Sequence, residues 1–255
     1  MKSLFFLILI IIGQYPSLAS EIKLKYGPAG NPRATPLSQS NEYFRSPKNR
    51  APDYWALAGF YVPQINGAAC SAASVTMVLN AARAGLSKTS EDKVITQKDL
   101  LDKVTVEQWK QRLGEGGMNG EYGIAPIERL GKITEAAFKS YGFSNASVKV
   151  VHVENTSAQT KKELIAVLRE NEKSAKDFVI ANFNQKFFTD DAEAGHIAPI
   201  AAYDAEKERV LIFDPDRDYF EPYWISMDTF LAGMATLDKG AKAYRGYVVI
   251  RLGNE

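Results

Sequence analysis

The chain carries one cysteine, Cys70, and two histidines, His152 and His196, among its 255 residues, so any thiol or imidazole chemistry rests on very few side chains. A nucleophilic cysteine works as its thiolate, and the positive end of a helix dipole favours that charged form. Cys70 stands where a helical pattern begins, which suits a nucleophile. A buried cysteine acting as a small hydrophobe is the reading its count alone leaves equally open. The thiolate needs a base that can become a cation beside it, and imidazole titrates near neutral pH. His152 lies in the apolar run Val150-Val151-His152-Val153 and reads as a satisfied strand histidine. His196 follows Ala194-Gly195 and opens a strand, where glycine lets a substrate or a partner backbone come close. Asp214, ending the apolar run 210–213, can orient that imidazole if the two strands pair as a hairpin through the turn at 204–207. Before Pro215 it can equally be a turn former.

These residues need elements to hold them. Residues 71–84 place Ala72, Val75, Val78, Leu79 and Ala82 at spacings of three and four, with Gly85 as terminator, so a buried helix starts at or beside Cys70. Helical patterns follow over 98–113, over 125–141 ended by Gly142, and over 157–171 with Ser157 as cap. The stretch 114–123 holds five glycines and reads as a loop at a cleft or on the surface. Val148, Val150 and either Val151 or Val153 form a strand. Residues 178–183, 197–203, 209–213 and 244–251 are β-branched or aromatic runs between polar turns. Helices first and strands afterwards indicate an α+β domain with an antiparallel sheet. Residues 21–50, rich in Pro, Gly and Ser, read as an extended N-terminal arm, with 51–255 as a single catalytic domain, and the aromatic stretch 53–62 packs onto its body.

Composition narrows the partners. With 45% hydrophobic and 24% charged residues the chain suits one globular core, and a net charge of +1 without a Lys/Arg block gives no field for nucleic acid or an acidic membrane. Residues 1–20, with Lys2, an apolar run over 4–12 and then Pro16, Ser17, Leu18 and Ala19, read as a signal peptide cleaved after Ala19 or Ser20. The run falls short of the roughly 20 apolar residues a bilayer span needs, so no stable membrane insertion is expected after cleavage. The expected location is periplasmic or secreted. Disulfides persist there, which makes a lone thiol worth explaining.

Gln64 precedes Cys70 by six in Gln64-Ile65-Asn66-Gly67-Ala68-Ala69-Cys70, and in papain-like thiol enzymes a glutamine at that spacing helps the cysteine N–H hold the oxyanion. Residues 61–81, YVPQINGAACSAASVTMVLNA, resemble the nucleophile segment of phytochelatin synthases. Gly195-His196-Ile197-Ala198-Pro199 resembles that family's histidine stretch. Phe213-Asp214 with Arg217, Pro222 and Trp224 resembles its aspartate segment, and Arg245-Gly246-Tyr247 its late Arg-Gly-aromatic strand. The resemblance implies a papain-like α+β fold, its N-terminal helical half starting a helix at the catalytic Cys and its C-terminal antiparallel sheet carrying His and Asp. Cys70 would be nucleophile, His196 base, Asp214 orienter and Gln64 oxyanion donor. Arg245 would hold a substrate carboxylate, and Asn66, Gly195, Arg217 and Lys186 would also face substrate.

The reaction implied is acylation of Cys70 by the γ-Glu-Cys part of glutathione with release of glycine. Water would then give γ-Glu-Cys, and a second glutathione would give a phytochelatin. Ala69 and Ser71 replace the family's usual neighbours of the cysteine, Lys186 is the only cation where an arginine is common, and Tyr219-Phe220-Glu221 replaces Lys-Tyr-Pro. These changes favour hydrolysis, as does the resemblance to the short bacterial form. No tightly bound cofactor or metal is expected, and Cd or Zn would enter as the glutathione thiolate complex. The alternatives are a papain-like peptidase for other peptides and a non-catalytic exported binder of thiol peptides; homodimerisation is left open.

Overall fold

Every side chain of β3 (Asp177–Asn184) after the first is buried, because helices cover the sheet on both faces. The computed structural model describes residues 24–27, 33–189 and 193–253; the signal-peptide reading of residues 1–20 lies outside them. The helices are α1 (Pro52–Ala58), α2 (Cys70–Ala84), α3 (Gln97–Lys103), α4 (Trp109–Leu113), α5 (Ile127–Ser140), α6 (Ala158–Asn171) and α7 (Met227–Met234). The remaining strands are β1 (Ala34–Pro36), β2 (Ser147–His152), β4 (Gly195–Asp204), β5 (Arg209–Ile212), β6 (Tyr223–Ser226), the small pair β7 (Leu237–Asp238) and β8 (Ala243–Tyr244), and β9 (Gly246–Arg251). Seven strands form an antiparallel sheet in the order β1-β6-β5-β4-β3-β9-β2, an α+β arrangement.

Alternate residues of the central strands feed two cores. Phe178, Ile180, Val248 and Ile250 pack with Val75, Val78 and Leu79 of α2 and Leu130 and Ile133 of α5. Val179, Ala181, Phe183 and Val249 pack with Leu164 and Leu168 of α6 and Phe230 and Leu231 of α7. Burial on both faces explains why these strands read as continuous apolar runs. At Gly246 a Cβ would stand 2.0 Å from the Val151 carbonyl oxygen, so only glycine lets β9 and β2 approach this closely.

The expected helix over 98–113 is two helices. Val104, Thr105 and Val106 are consecutive β-branched residues, which resist helical χ1 geometry, and Glu107 and Gln108 adopt φ of 55° and 53°. Residues 33–50, read as part of an extended arm, lie on the body: β1 pairs with β6, and the buried Tyr43 hydroxyl donates to Glu172 Oε2 at 3.2 Å. The cap of α6 is as expected, Ser157 Oγ accepting from Thr160 N–H at 3.2 Å.

Candidate active site

Cys70 is the first residue of α2, where backbone N–H groups have no intrahelical partner. Ser74, one turn on, donates its hydroxyl to the Ile197 carbonyl at 3.0 Å. That bond fixes the start of the helix against the strand residue beside His196. The hairpin of β4 and β5 forms, with Asp204 opposite Arg209, and Phe213 N–H donates to the Pro199 carbonyl at 3.0 Å. Asp214 is thereby delivered beside His196, whose Nε2 lies 2.7 Å from Asp214 Oδ1. Cys70 lies near enough to the same imidazole to raise its pKa, and with Nε2 turned to Asp214 the nitrogen left for the thiol is Nδ1.

Asp214 is fully buried and its acceptors are occupied. Tyr223 O–H donates to Oδ2 at 2.7 Å, and Asp216 N–H donates to Oδ1 at 2.9 Å. Burial opposes ionisation of Asp214, but the His196 charge and these hydrogen bonds outweigh it and hold its pKa below the usual carboxylate range. Burial likewise opposes charge on His196, yet the Asp214 charge and hydrogen bond, joined by Cys70, raise its pKa well above the ordinary value. Tyr223 is raised as well, by burial and by the adjacent Asp214, and therefore remains a proton donor. The arrangement favours an imidazolium held against the Asp214 carboxylate.

The segment before Cys70 is anchored to the aspartate loop. Gln64 N–H donates to the Pro215 carbonyl at 2.8 Å, and Tyr61 O–H to the Asp214 carbonyl at 2.6 Å. Among the described residues the Gln64 side-chain amide carries no hydrogen bond, and its Oε1 is buried. Arg217, expected to face substrate, is exposed, donates to the Tyr61 carbonyl at 3.0 Å and lies over the Tyr61 ring at 4.4 Å. It braces the glutamine segment from behind.

Cys70 opens into a cleft of about 510 Å³ lined by Asn66, Gly67, Leu113, Glu115, Tyr122 and Gly195 among others. A smaller recess of about 140 Å³ continues from Cys70 to Asn182, Gly195 and Asp238. Asn66 and Gly195, expected to face substrate, both line this cleft, and the Asn66 amide ties the wall together by donating to the Leu113 carbonyl at 3.0 Å. Arg245 lies against Gly195, whose Cβ would meet Arg245 Nη2 at 3.3 Å. Its Nη2 pairs with Asp238 Oδ2 at 3.2 Å, while its buried Nε has no partner among the described residues. Lys186 does not line this cleft: it sits on an exposed turn with its ammonium 3.9 Å from Glu193.

Asp238 escaped the sequence reading because it sits in a two-residue strand with no periodic pattern. So did the bond from buried Trp109 Nε1–H to Ser71 Oγ at 3.0 Å, which gives the serine beside the cysteine a packing role and fixes α4 at the cleft wall. His152 is a structural strand residue, as read: Nδ1 meets the Tyr244 carbonyl and Nε2 meets Glu128 Oε1, both at 2.8 Å. No group of three or more His, Cys, Asp or Glu suited to a metal ion occurs among the described residues. Nor is any helix there long and apolar enough to cross a membrane.

The family model described as phytochelatin synthase matches residues 35–247. Glutathione gamma-glutamylcysteinyltransferase 3 of Lotus japonicus is 24% identical over 204 residues, covering 77% of this chain and 37% of that protein. Glutathione gamma-glutamylcysteinyltransferase 1 of Triticum aestivum and of Arabidopsis thaliana are 34% and 32% identical over 56 residues, covering 22% of this chain and 11% and 12% of those proteins. The chain spans well under half the length of these relatives.

Proposed function

This chain belongs to the phytochelatin synthase family, and we propose that it is a papain-like thiol enzyme that takes the γ-Glu-Cys group from glutathione onto Cys70. The observation that carries the reading is the His196–Asp214 pair, 2.7 Å apart, beside a thiol at a helix start. The Cys70 thiolate attacks the carbonyl of the Cys-Gly peptide bond, forming an S–C bond. The resulting oxyanion is held by the Cys70 backbone N–H and the free Gln64 amide. As the intermediate collapses the C–N bond breaks, and His196 gives its proton to the departing glycine amine. Asp214 keeps the ring oriented throughout.

A γ-glutamyl group ends in an ammonium and a carboxylate on one carbon. The recess beside Cys70 offers Asp238 for the first, and Arg245, packed against Gly195 and paired with Asp238 at 3.2 Å, supplies the nearby positive charge for the second. Water activated by neutral His196 then cleaves the thioester to γ-Glu-Cys, and transfer to a second glutathione is the lesser route. Lys186 stands off the cleft and so offers no cation for that second substrate. Cd or Zn would act as the thiolate complex of the substrate, and an exported location follows from the reading of residues 1–20. The test is incubation with glutathione under reducing conditions, with and without Cd²⁺, resolving products by mass. Glycine with γ-Glu-Cys and few oligomers supports the hydrolytic reading; no glycine from folded protein rejects glutathione as substrate.

A further inference from the structure

The space around Cys70 has two sides of different charge. The recess with Asp238 takes the acyl group in the reading above; the rest of the cleft, along Asn66, Gly67, Leu113, Gly114, Glu115 and Tyr122, is where glycine leaves and the next nucleophile enters. Among the described residues Glu115 is the one charged side chain lining that part of the cleft, and no hydrogen bond or ion pair there engages its carboxylate. Arg245 stands at the recess end, against Gly195, and is already paired with Asp238. Tyr122 lies in the same turn as Glu115, its ring 61% exposed and its hydroxyl accepting from Gly116 N–H at 3.1 Å. The turn is tightly built. Gly117, at φ of 60°, packs so closely on the Glu121 carbonyl that a Cβ would collide with it, and Met118 and Glu121 exchange backbone hydrogen bonds of 2.8 and 3.0 Å. A carboxylate and an aromatic ring held in one turn are the two partners an ammonium group binds.

That charge discriminates between nucleophiles. A second glutathione brings carboxylates toward Glu115 and is repelled, whereas an amine carrying a further positive charge is drawn in. We propose that the enzyme has a further activity, transfer of the γ-Glu-Cys group from Cys70 to a short aliphatic diamine. One end of the diamine, as ammonium, is held by Glu115 and lies over the Tyr122 ring. The other end attacks as the neutral amine, so that a C–N bond forms at the thioester carbonyl and the C–S bond breaks. Neutral His196 takes the proton that the nitrogen gives up, and Cys70 departs as thiolate. The product is the γ-Glu-Cys amide of the diamine with its second ammonium intact, and nothing is oxidised or reduced. Water competes for the same thioester, so the split between amide and γ-Glu-Cys follows the amine concentration.

This inference rests on the glutathione reading above, and the experiment separates the two. The full chain is incubated with glutathione and a phosphine reductant in the presence of 1,4-diaminobutane or of 1-aminobutane, which attacks with the same group but lacks the second charge. Glycine, γ-Glu-Cys and the γ-Glu-Cys amides are resolved by mass for wild type, Glu115→Gln and Tyr122→Ala. The readout is the ratio of amide to γ-Glu-Cys at equal amine concentration, which does not depend on the amount of folded enzyme. Expected is a ratio about tenfold higher with the diamine than with the monoamine in the wild type, the combined scale of an exposed ion pair and a cation–π contact. Glu115→Gln should reduce that preference about fivefold, and Tyr122→Ala should reduce it as well. Glycine and γ-Glu-Cys without amide, or a diamine preference that Glu115→Gln leaves unchanged, overturns the transfer proposal alone. No glycine from folded protein overturns both.

Discussion

Tyr223 donates its hydroxyl to Asp214 Oδ2 at 2.7 Å, on the opposite side of the carboxylate from His196, which meets Oδ1 at 2.7 Å. The carboxylate is thus clamped between two donors in a fully buried site. One clamp is the ring that must stay oriented, and the other fixes the carboxylate plane that orients it.

Tyr223→Phe removes only the second clamp and leaves a buried carboxylate oxygen short of a donor, at a cost of about 1–3 kcal/mol. Expected are a lower Tm and a kcat for glycine release reduced about tenfold, with KM little changed because Tyr223 does not line the cleft. Thermal unfolding and steady-state kinetics on the same preparation check both.

Asp214→Asn keeps the shape and removes the charge. His196 would lose the largest influence raising its pKa, and the amide can favour the wrong imidazole tautomer. Expected is a fall in kcat of about 10²–10⁴-fold, together with an NMR-observed His196 pKa lower than in the wild type. A wild-type pKa in the variant would mean that Asp214 does not govern the imidazole.

Arg217 and Arg245 should separate kinetically. Arg245 packs against Gly195 of the cleft wall and pairs with Asp238 of the recess, whereas Arg217 donates to the Tyr61 carbonyl. Arg245→Ala is expected to raise KM for glutathione about tenfold, the scale of a lost carboxylate contact. Arg217→Ala should lower kcat modestly with KM within about twofold. Equal KM effects from the two would remove the distinction.

Stability should carry a pH signature far from the cleft. Glu172 accepts from the Tyr43 hydroxyl at 3.2 Å and from the Tyr203 N–H, and burial raises its pKa from 4.5 to about 7. The folded state therefore prefers the protonated acid. Its contribution is full below about pH 4.5 and is lost as pH rises toward 7, on the order of 2–3 kcal/mol. Glu172→Gln should flatten this slope, so the Tm of wild type relative to the variant is expected to fall between pH 4.5 and 7.5. A difference independent of pH would contradict the raised Glu172 pKa.

The parts of this molecule legible in its sequence are those governed by local periodicity or rare residues. The helix starting at Cys70 shows in its spacing of small and aliphatic residues, and His196 and Asp214 stand out because the chain has so few imidazoles and a strand ends at that aspartate. What stayed hidden depends on distant partners. Strand β1 is three residues long and exists only because β6 receives it. Asp238 reaches the recess from a two-residue strand held by Arg245. Arg217 and Lys186 carried charges that looked suited to an anionic substrate, and only the packed loops decide that one braces a backbone carbonyl and the other faces solvent. Ser226, capping α7 by accepting from Thr229 N–H at 3.1 Å, was a signal available in the sequence.

The central claim is that Cys70 carries the γ-Glu-Cys group. The most direct measurement is rapid mixing with glutathione under reducing conditions, acid quenching, and mass analysis of intact protein and its peptides. Expected is a gain of one γ-Glu-Cys acyl group on the Cys70 peptide, stable to a phosphine reductant and removed by excess thiol, formed together with a burst of one glycine per protein and absent from Cys70→Ser. Glycine release undiminished in Cys70→Ser, or an adduct mapped to another residue, would contradict it.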